Sequence, residues 1–299
     1  MPGPALTDTG LETVLVFRHG MDLPDFASFP LLDDPHGREL IAAYYRDHLR
    51  IAAELGAAIV LETPTWRANP DWGARQGYDH EALDRINQDA VAFVRGVADE
   101  FADVPVTVSG NLGPRGDAYA PEDVPTAEDS QRYHEAQIAS FVAAGADRVT
   151  VLTITHAAEA VGIVRAAAAA EIPVVVSFTT ETDGRLPSGQ GLLDAVAEVD
   201  AATGAAALFY GINCAHPDHF SSALHAGDAR TARIQLLRAN ASRMSHAELD
   251  ESEELDDGDP DELAGQYRAL LEAHPHLQIL GGCCGTDPRH LHAIGRSCV

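Results

Sequence analysis

The sequence predicts a single (β/α)8 barrel from its length, its alternation of elements and the composition of its strands. The chain has 299 residues, and a barrel of eight strand–helix pairs typically needs about 250. Eight short apolar runs alternate with longer segments of helical pattern, which indicates parallel strands joined by helices. The runs are apolar at nearly every position, as strands covered on both faces must be. We therefore expect one barrel domain over residues 1–299.

The eight predicted strands are short, and the first is the least clearly marked. They cover residues 5–7, 58–63, 104–109, 148–153, 173–178, 206–212, 233–237 and 277–280. A helical pattern follows each strand. The predicted helices cover residues 38–55, 80–101, 127–144, 157–170, 191–202, 217–224, 260–273 and 288–294.

Two long inserts interrupt this alternation. Residues 18–34 follow the first strand. Residues 240–259 follow the seventh and contain most of the acidic run ELDESEELDDGDPDE, which ends at residue 262. The acidic run lacks the ordered alternation of ligand and spacer positions found in calcium loops. We therefore expect the second insert to be a solvated, mobile loop.

The charge of the chain restricts its partners. The net charge is −26, and all 20 basic residues are arginines. A strongly acidic chain repels phosphate backbones, which argues against a nucleic acid partner.

The N-terminal segment lacks the basic start and apolar run of a secretory signal, and no stretch approaches the roughly 20 apolar residues that cross a bilayer. We expect a cytoplasmic protein without a membrane partner, with a homo-oligomer as an alternative to a monomer.

Three of the four cysteines fall at predicted strand exits. Cys214 ends the run ALFYGINC of the sixth strand, and Cys283 and Cys284 end the run LQILGGCC of the eighth. Active sites of this fold lie at the C-terminal ends of the strands, so the three thiols should converge there. Cys298, next to the C-terminus, is not expected to take part.

Converging thiols have three interpretations. Cysteine is often buried and inert, but strand exits are not barrel core. A disulfide between the adjacent Cys283 and Cys284 would be strained. Three thiolates suit Zn²⁺ and leave a fourth position open, as catalytic zinc sites do. The glycines at positions 281, 282 and 285 allow the tight backbone path that points both sulfurs at one ion.

The ligand set predicts what the zinc would do. Three thiolates give the centre a net charge of −1, which weakens its power to activate water. Such a centre is better suited to holding a further thiol, whose pKa is about 8.5 when free, in its deprotonated form. The sequence thus favours Zn²⁺ as cofactor, a small-molecule thiol as acceptor and an activated methyl group as its partner.

Several segments together resemble one family. They are GINC at 211–214, GGCCGTDP at 281–288, SGNLGPRGD at 109–117, SFTTETDGRLPSGQ at 177–190 and, more weakly, TDTGLET at 7–13. In this order they span nearly the whole chain. The chain resembles the homocysteine S-methyltransferase family, the betaine-, S-methylmethionine- and folate-using enzymes that share a zinc-binding barrel.

The resemblance implies roles for particular residues. Cys214, Cys283 and Cys284 would be the zinc ligands. The first-strand exit, with Asp8, Thr9 and the backbone around Gly10, would bind the amino acid part of the acceptor. Asn213 of the GINC segment is predicted to join the same substrate site.

The chain departs from the family pattern at the acceptor site. Thr9 and Glu12 interrupt the small, glycine-like positions after the first-strand aspartate. Leu152 occupies the position of a fourth-strand glutamate that binds the ammonium of the acceptor. We expect Glu62, at the end of the second strand, to supply the missing negative charge; the alternative is that it only pairs with Arg67 or another loop arginine.

Two further groups of residues have alternative interpretations. Trp66 and Trp72 follow the second strand and either pack the loop or line a wall for a cationic substrate. His216, His219, His290 and His292 follow the cysteines. The alternatives are zinc ligands or general acids on one side and surface or helix-capping residues on the other, and we expect the second.

The sequence therefore predicts a zinc-dependent methyltransferase. The expected donor is a sulfonium, S-methylmethionine or S-adenosylmethionine, and the expected acceptor is homocysteine or a related thiol or selenol, with a place in methionine biosynthesis. The alternatives are a different, non-amino-acid thiol as acceptor, a zinc hydrolase, which the cysteine-only ligand set disfavours, and a zinc-binding barrel without turnover.

Overall fold

A computed structural model describes residues 3–118, 125–225, 227–252 and 254–299 of the chain. Eight parallel strands pair in sequence order, and β8 closes on β1, so the predicted barrel is confirmed. The strands are β1 Ala5–Thr7, β2 Ile59–Glu62, β3 Val106–Leu112, β4 Arg148–Ile154, β5 Val174–Phe178, β6 Phe209–Asn213, β7 Ile234–Ala239 and β8 Ile279–Gly282.

A helix follows each strand and packs on the outside of the barrel. These helices are α1 Pro35–Leu55, α2 His80–Ala98, α3 Ala127–Ala143, α4 Ala157–Ala169, α5 Leu192–Thr203, α6 Pro217–Phe220, α7 Pro260–Ala273 and α8 Pro288–Cys298. Most begin at a side-chain cap, such as Asp34 for α1 and Asp79 for α2, which satisfies a free N–H of the first turn. No helix of the described ranges combines the length and apolar content that a membrane span would need.

The barrel interior changes from apolar to polar toward the carboxyl ends of the strands. The lower layer is formed by Val60, Val175, Phe209, Leu236 and Ile279. Side chains alternate along a strand, so the residue two positions further on also points inward. In β2, β6 and β7 those residues are Glu62, Gly211 and Arg238, and the upper interior therefore contains charges.

The inserts are more ordered than the sequence indicated. The first contains the short helices Pro24–Phe26 and Phe29–Asp33. The second contains the helix His246–Asp250, which begins with a capping box between Ser245 and Glu248. The second insert is therefore not a loop throughout, and its mobility stays a prediction; Glu253 of its acidic run lies outside the described residues.

Candidate functional site

A cavity of about 560 Å³ opens at the carboxyl ends of the strands. A volume of this size is in the range of small-molecule sites. All the residues that the sequence predicted for metal and substrate lie on its wall: Asp8, Thr9, Gly10, Glu62, Trp66, Asn213, Cys214, Cys283 and Cys284. The fold therefore brings the predicted residues to one place, although they come from four different strand exits.

The three cysteines form one cluster. Their sulfur atoms all lie within 4.8 Å of one another, and the Sγ atoms of Cys214 and Cys284 are 4.0 Å apart. Cys214 and Cys283 are joined as a disulfide, with Cα atoms 5.4 Å apart; this pairing differs from the adjacent-cysteine disulfide considered from the sequence.

The cluster fits a tetrahedral metal once its cysteines are reduced. Zinc–sulfur bonds of about 2.3 Å place tetrahedral ligand sulfurs about 3.8 Å apart, which is close to the Cys214–Cys284 separation of 4.0 Å. Thr153 and Asn213 direct a hydroxyl and an amide N–H at the sulfurs of Cys214 and Cys283, at 3.8 and 3.9 Å. Donors of this kind stabilise negative charge on sulfur.

The backbone near the cysteines is unusually tight. Gly285 has a φ of +79°, a conformation that glycine adopts without steric cost. At Gly10 a Cβ atom would meet the carbonyl oxygen of Cys283 at 2.4 Å. Gly10 therefore allows the exit of β1 to pack directly against the cysteine loop.

A buried ion pair lies beside the cysteines. Asp8 Oδ1 is 2.7 Å from Nη1 of Arg238, and both side chains are almost fully buried. Arg238 also donates to the carbonyls of Thr9 and Gly282. Burial raises the pKa of the Asp8 carboxyl to about 7; Arg238 opposes this shift and the charge of Glu62 adds to it. Arg238 was not among the predicted site residues, and its only signal in the sequence is an arginine inside the apolar β7 run.

Thr9 is held by two residues of α1. Its N–H donates to Tyr44 Oη at 2.8 Å, and that hydroxyl donates to the carbonyl of Thr9 at 2.9 Å. His48 Nδ1 donates to the carbonyl of Tyr44, so His48 Nε2 accepts from the Thr9 hydroxyl at 2.8 Å. Burial lowers the pKa of His48 to about 4 and keeps it neutral. Thr9 therefore lines the cavity with its polar groups already bonded to the protein, and it fixes the β1 exit.

Glu62 is a buried carboxylate without a hydrogen bond. Its side chain lines the cavity, the residue is 3% exposed, and neither carboxylate oxygen has a hydrogen-bond partner. The closest cation is Arg148 of β4, whose Nη2 lies 3.8 Å from Oε1, too far for a hydrogen bond. The arginine beside Glu62 thus belongs to a strand, so the alternative prediction of pairing with Arg67 or another loop arginine is wrong. Leu152, on the same wall, offers no charge.

The two tryptophans enclose an arginine. The guanidinium carbon of Arg67 lies 4.1 Å from the ring centroid of Trp66 and 3.7 Å from that of Trp72. The indole N–H of Trp66 donates to the carbonyl of Leu152. The contacts of both rings with Arg67 match the loop-packing interpretation of the tryptophans. A substrate contact of Trp66, which lines the cavity, stays a prediction.

The second insert forms part of the cavity wall. Leu249, Ser252, Leu255 and Asp256 line the cavity. Asp257 holds the insert in place: its Oδ2 lies 2.5 and 2.6 Å from Nη2 atoms of two arginines, Arg18 and Arg289. The acidic run thus includes residues that shape the site.

The histidines near the cysteines are capping residues or surface residues. The buried His216 side chain accepts from the N–H of Asp218 at the start of α6. His290 is buried and forms a capping box with Asp287 at the start of α8. His219 and His292 are bonded to Arg243 and Glu54 near the surface.

Comparison with known proteins identifies one family. The family model described as homocysteine S-methyltransferase matches residues 5–298. A selenocysteine Se-methyltransferase of Brassica oleracea var. italica is 24% identical over 322 residues, covering 99% of this chain and 89% of the relative. Homocysteine S-methyltransferase 1 of Arabidopsis thaliana is also 24% identical, with 98% and 93% covered.

Solved structures share the fold. The homocysteine methyltransferase MmuM from Escherichia coli, in its oxidized form, superposes with a TM-score of 0.80 at 22% identity and covers 98% of this chain and 95% of its own. The metallated form of the same enzyme has a TM-score of 0.77 at 22% identity, with 99% and 96% covered.

Proposed function

Because the chain belongs to the homocysteine S-methyltransferase family, we propose that it transfers a methyl group from a sulfonium donor to homocysteine or a related thiol or selenol, and that the transfer depends on zinc. The observation that supports this most is the cluster of three thiols on the wall of a substrate-sized cavity. The expected setting is methionine biosynthesis in the cytoplasm.

Cys214, Cys283 and Cys284 would hold the metal. Zinc held by three thiolates supplies an open fourth position in which a further thiol binds as its thiolate. The donors from Thr153 and Asn213 support thiolate charge on the protein's own sulfurs. The existence of a metallated form of the Escherichia coli enzyme is in line with this assignment.

The methyl transfer is a direct displacement. The acceptor sulfur or selenium forms a bond to the methyl carbon while the bond from that carbon to the sulfonium sulfur breaks. The electron pair of the broken bond stays with the donor sulfur, which leaves as a neutral thioether, and the proton of the acceptor passes to water. The cavity orients both reactants, which is the main contribution that a binding site makes to a displacement.

Glu62 would select an amino acid acceptor. An ammonium group brought into this partly shielded site needs a counter-charge, because an unpaired buried charge costs several kcal/mol. Glu62 has both oxygens available for hydrogen bonds and lines the same cavity as the thiols. The Brassica relative is a selenocysteine Se-methyltransferase, which makes a selenol amino acid a natural second acceptor.

The charge of the cavity suits a sulfonium donor, either S-methylmethionine or S-adenosylmethionine. Acidic residues on its wall outnumber basic ones: Asp8, Glu12, Asp25, Glu62, Asp117, Glu254 and Asp256 against Arg67, Arg75 and Arg238. A cleft lined mainly by one sign of charge concentrates ligands of the opposite sign. Phe17, which is 40% exposed and lines the cavity, offers an aromatic face to the cation.

A non-amino-acid thiol is the second candidate acceptor, because Leu152 makes one wall of the cavity apolar. A matrix of thiols and selenols against methyl donors, read by mass spectrometry with zinc-loaded protein, separates the candidates. Methylation of homocysteine or selenocysteine by a sulfonium supports the proposal. No turnover with any pair would leave a zinc-binding barrel instead.

The metal assignment has its own test. Purified, reduced protein is expected to contain about one zinc per chain, and exchange of Cys283 or Cys284 for Ser should remove it, because two thiolates and water bind zinc far more weakly than three thiolates. Metal analysis measures the ratio. Full zinc occupancy in the Cys214→Ser/Cys283→Ser/Cys284→Ser variant would contradict the assignment of these cysteines as zinc ligands.

A further inference from the structure

The backbone of Cys214 is held in an uncommon conformation. Its φ is +53°, in the left-handed region, which is sterically unfavourable for a non-glycine residue. This conformation ends β6 and sets the direction in which the Cys214 side chain leaves the backbone. Some contact must therefore stabilise it.

The stabilising contacts act on the carbonyl of Cys214. His246 Nε2 lies 2.7 Å from this oxygen, and the hydroxyl of Thr179 lies 3.3 Å from it. A carbonyl only accepts, so His246 Nε2 carries the hydrogen and donates it. The His246 bond is the shorter of the two.

His246 is itself fixed from a second side. Its Nδ1 lies 3.2 Å from Oε1 of Glu181, which follows β5, and the residue is 5% exposed. It is also the first residue of the helix His246–Asp250, whose start is set by the Ser245–Glu248 capping box. The start of the helix places the His246 ring between the Cys214 carbonyl and the Glu181 carboxylate.

We propose that His246 is a positioning residue, which orients the Cys214 thiol for metal binding through its hydrogen bond to the Cys214 carbonyl. It also links this thiol to the second insert, whose Leu249 and Leu255 line the cavity. The metal-binding part of this inference rests on the proposed function. Residues behind metal ligands typically change metal affinity 10- to 100-fold when they are removed.

Co²⁺ is a suitable probe, because thiolate-to-cobalt charge-transfer absorption reports on the sulfur ligands directly. Reduced protein is titrated with Co²⁺ in competition with a chelator. His246→Leu is expected to lose 10- to 100-fold in affinity and to shift the charge-transfer band. His246→Gln keeps an N–H donor near the position of Nε2 and should stay within threefold of wild type.

His219→Leu is the matched control. His219 Nε2 donates to the carbonyl of Arg243 at 3.0 Å, so it ties the same insert to the barrel without contacting Cys214. Its Co²⁺ affinity should stay within twofold of wild type. Equal losses in His246→Leu and His219→Leu, or no loss in His246→Leu, would overturn the proposal.

A measurement without metal separates this inference from the zinc proposal. Alkylation of Cys214 by iodoacetamide is followed by mass spectrometry in reduced, metal-free protein, with Cys298 as the internal reference thiol. His246→Leu should alkylate Cys214 at least fivefold faster, because a thiol that is 5% exposed in wild type becomes accessible. If wild type binds no metal, the zinc proposal fails, but the alkylation rates still decide whether His246 positions the thiol. Equal alkylation rates of Cys214 in wild type and His246→Leu would reject the role of His246.

Discussion

Exchange of Glu62 for Gln tests how the site recognises its acceptor. The change keeps the side-chain volume and removes one negative charge from the cavity wall. It leaves the cysteines, which come from β6 and β8 exits, untouched. If Glu62 pairs with the ammonium of the acceptor, the variant should bind the acceptor more weakly and retain its zinc.

The size of the effect follows from the surroundings of Glu62. Both carboxylate oxygens lack a hydrogen bond, and the closest arginine nitrogen lies 3.8 Å away. A hydrogen bond to a charged group contributes about 1.5–3 kcal/mol, and the glutamine amide would still offer a neutral acceptor. We therefore expect the acceptor KM to rise by one to two orders of magnitude, which corresponds to about 1.4–2.8 kcal/mol. Because this contact is present before and during transfer, kcat should change little.

The assay compares homocysteine with its des-amino analogue on wild type and on Glu62→Gln, at saturating donor. Wild type should prefer homocysteine, and the variant should lose most of that preference. Glu159→Gln is the control: Glu159 is as buried as Glu62 but is bonded to Arg115 and His134 away from the cavity. It should affect stability and leave the acceptor preference unchanged.

One result would refute the reasoning. If wild type and Glu62→Gln discriminate equally between homocysteine and its des-amino analogue, Glu62 does not bind the ammonium. Its function would then be to balance the charge of Arg148, and the variant would show lower stability with an unchanged KM. A preference of wild type for the des-amino thiol would point to a non-amino-acid acceptor.

Two further predictions concern protons. Binding of the acceptor thiol to the zinc-loaded protein should release close to one proton at pH 7, because the metal binds the thiolate form. Calorimetry in buffers of different ionisation enthalpy measures the number of protons released. No proton release while the thiol is bound would contradict coordination of the thiol by the metal. The raised pKa of Asp8, about 7 against 3.8, means that the folded protein keeps a proton which the unfolded chain releases. The free energy of unfolding should therefore fall as pH rises from 5 to 7, by about 2 kcal/mol. Asp8→Asn should remove this slope in urea unfolding and the exposed control Asp99→Asn should not; parallel pH profiles for wild type and Asp8→Asn would reject the assignment.

The barrel was predictable because its signal is repeated eight times. The ends of the strands were harder to predict where the barrel interior is polar. β3 extends to Leu112, beyond the predicted end at 109, because Ser109 and Asn111 face the interior and interrupt the apolar pattern. The hydroxyl of Ser109 is satisfied there by Thr150 of the next strand, a contact between distant residues that no local pattern reveals.

The cysteine cluster was predictable because the fold itself places strand exits together. The surrounding contacts were not. The contact of Arg67 with both Trp66 and Trp72 depends on the helix Pro70–Arg75. No predicted element covers this helix, although Asn69 and Pro70 form a recognisable helix start. His246 could not be assigned from sequence either, since its partner Cys214 is 32 residues away on another strand exit.

Among the described residues, the upper barrel interior contains the acidic side chains of Asp8 and Glu62 and the basic side chains of Arg148 and Arg238, and the two ion pairs differ in closeness. Asp8 and Arg238 are in close contact at 2.7 Å, whereas Glu62 and Arg148 are separated by 3.8 Å and retain unbonded polar atoms. A protein that needed only to balance these charges would gain from a closer second pair, because unsatisfied buried charges are costly. The cost is understandable if a substrate group completes the arrangement, since binding sites carry polar groups that their ligand satisfies. Glu62 lies on the cavity side of this pair, so an ammonium beside it would supply the missing hydrogen bonds in the same cavity that contains the three thiols.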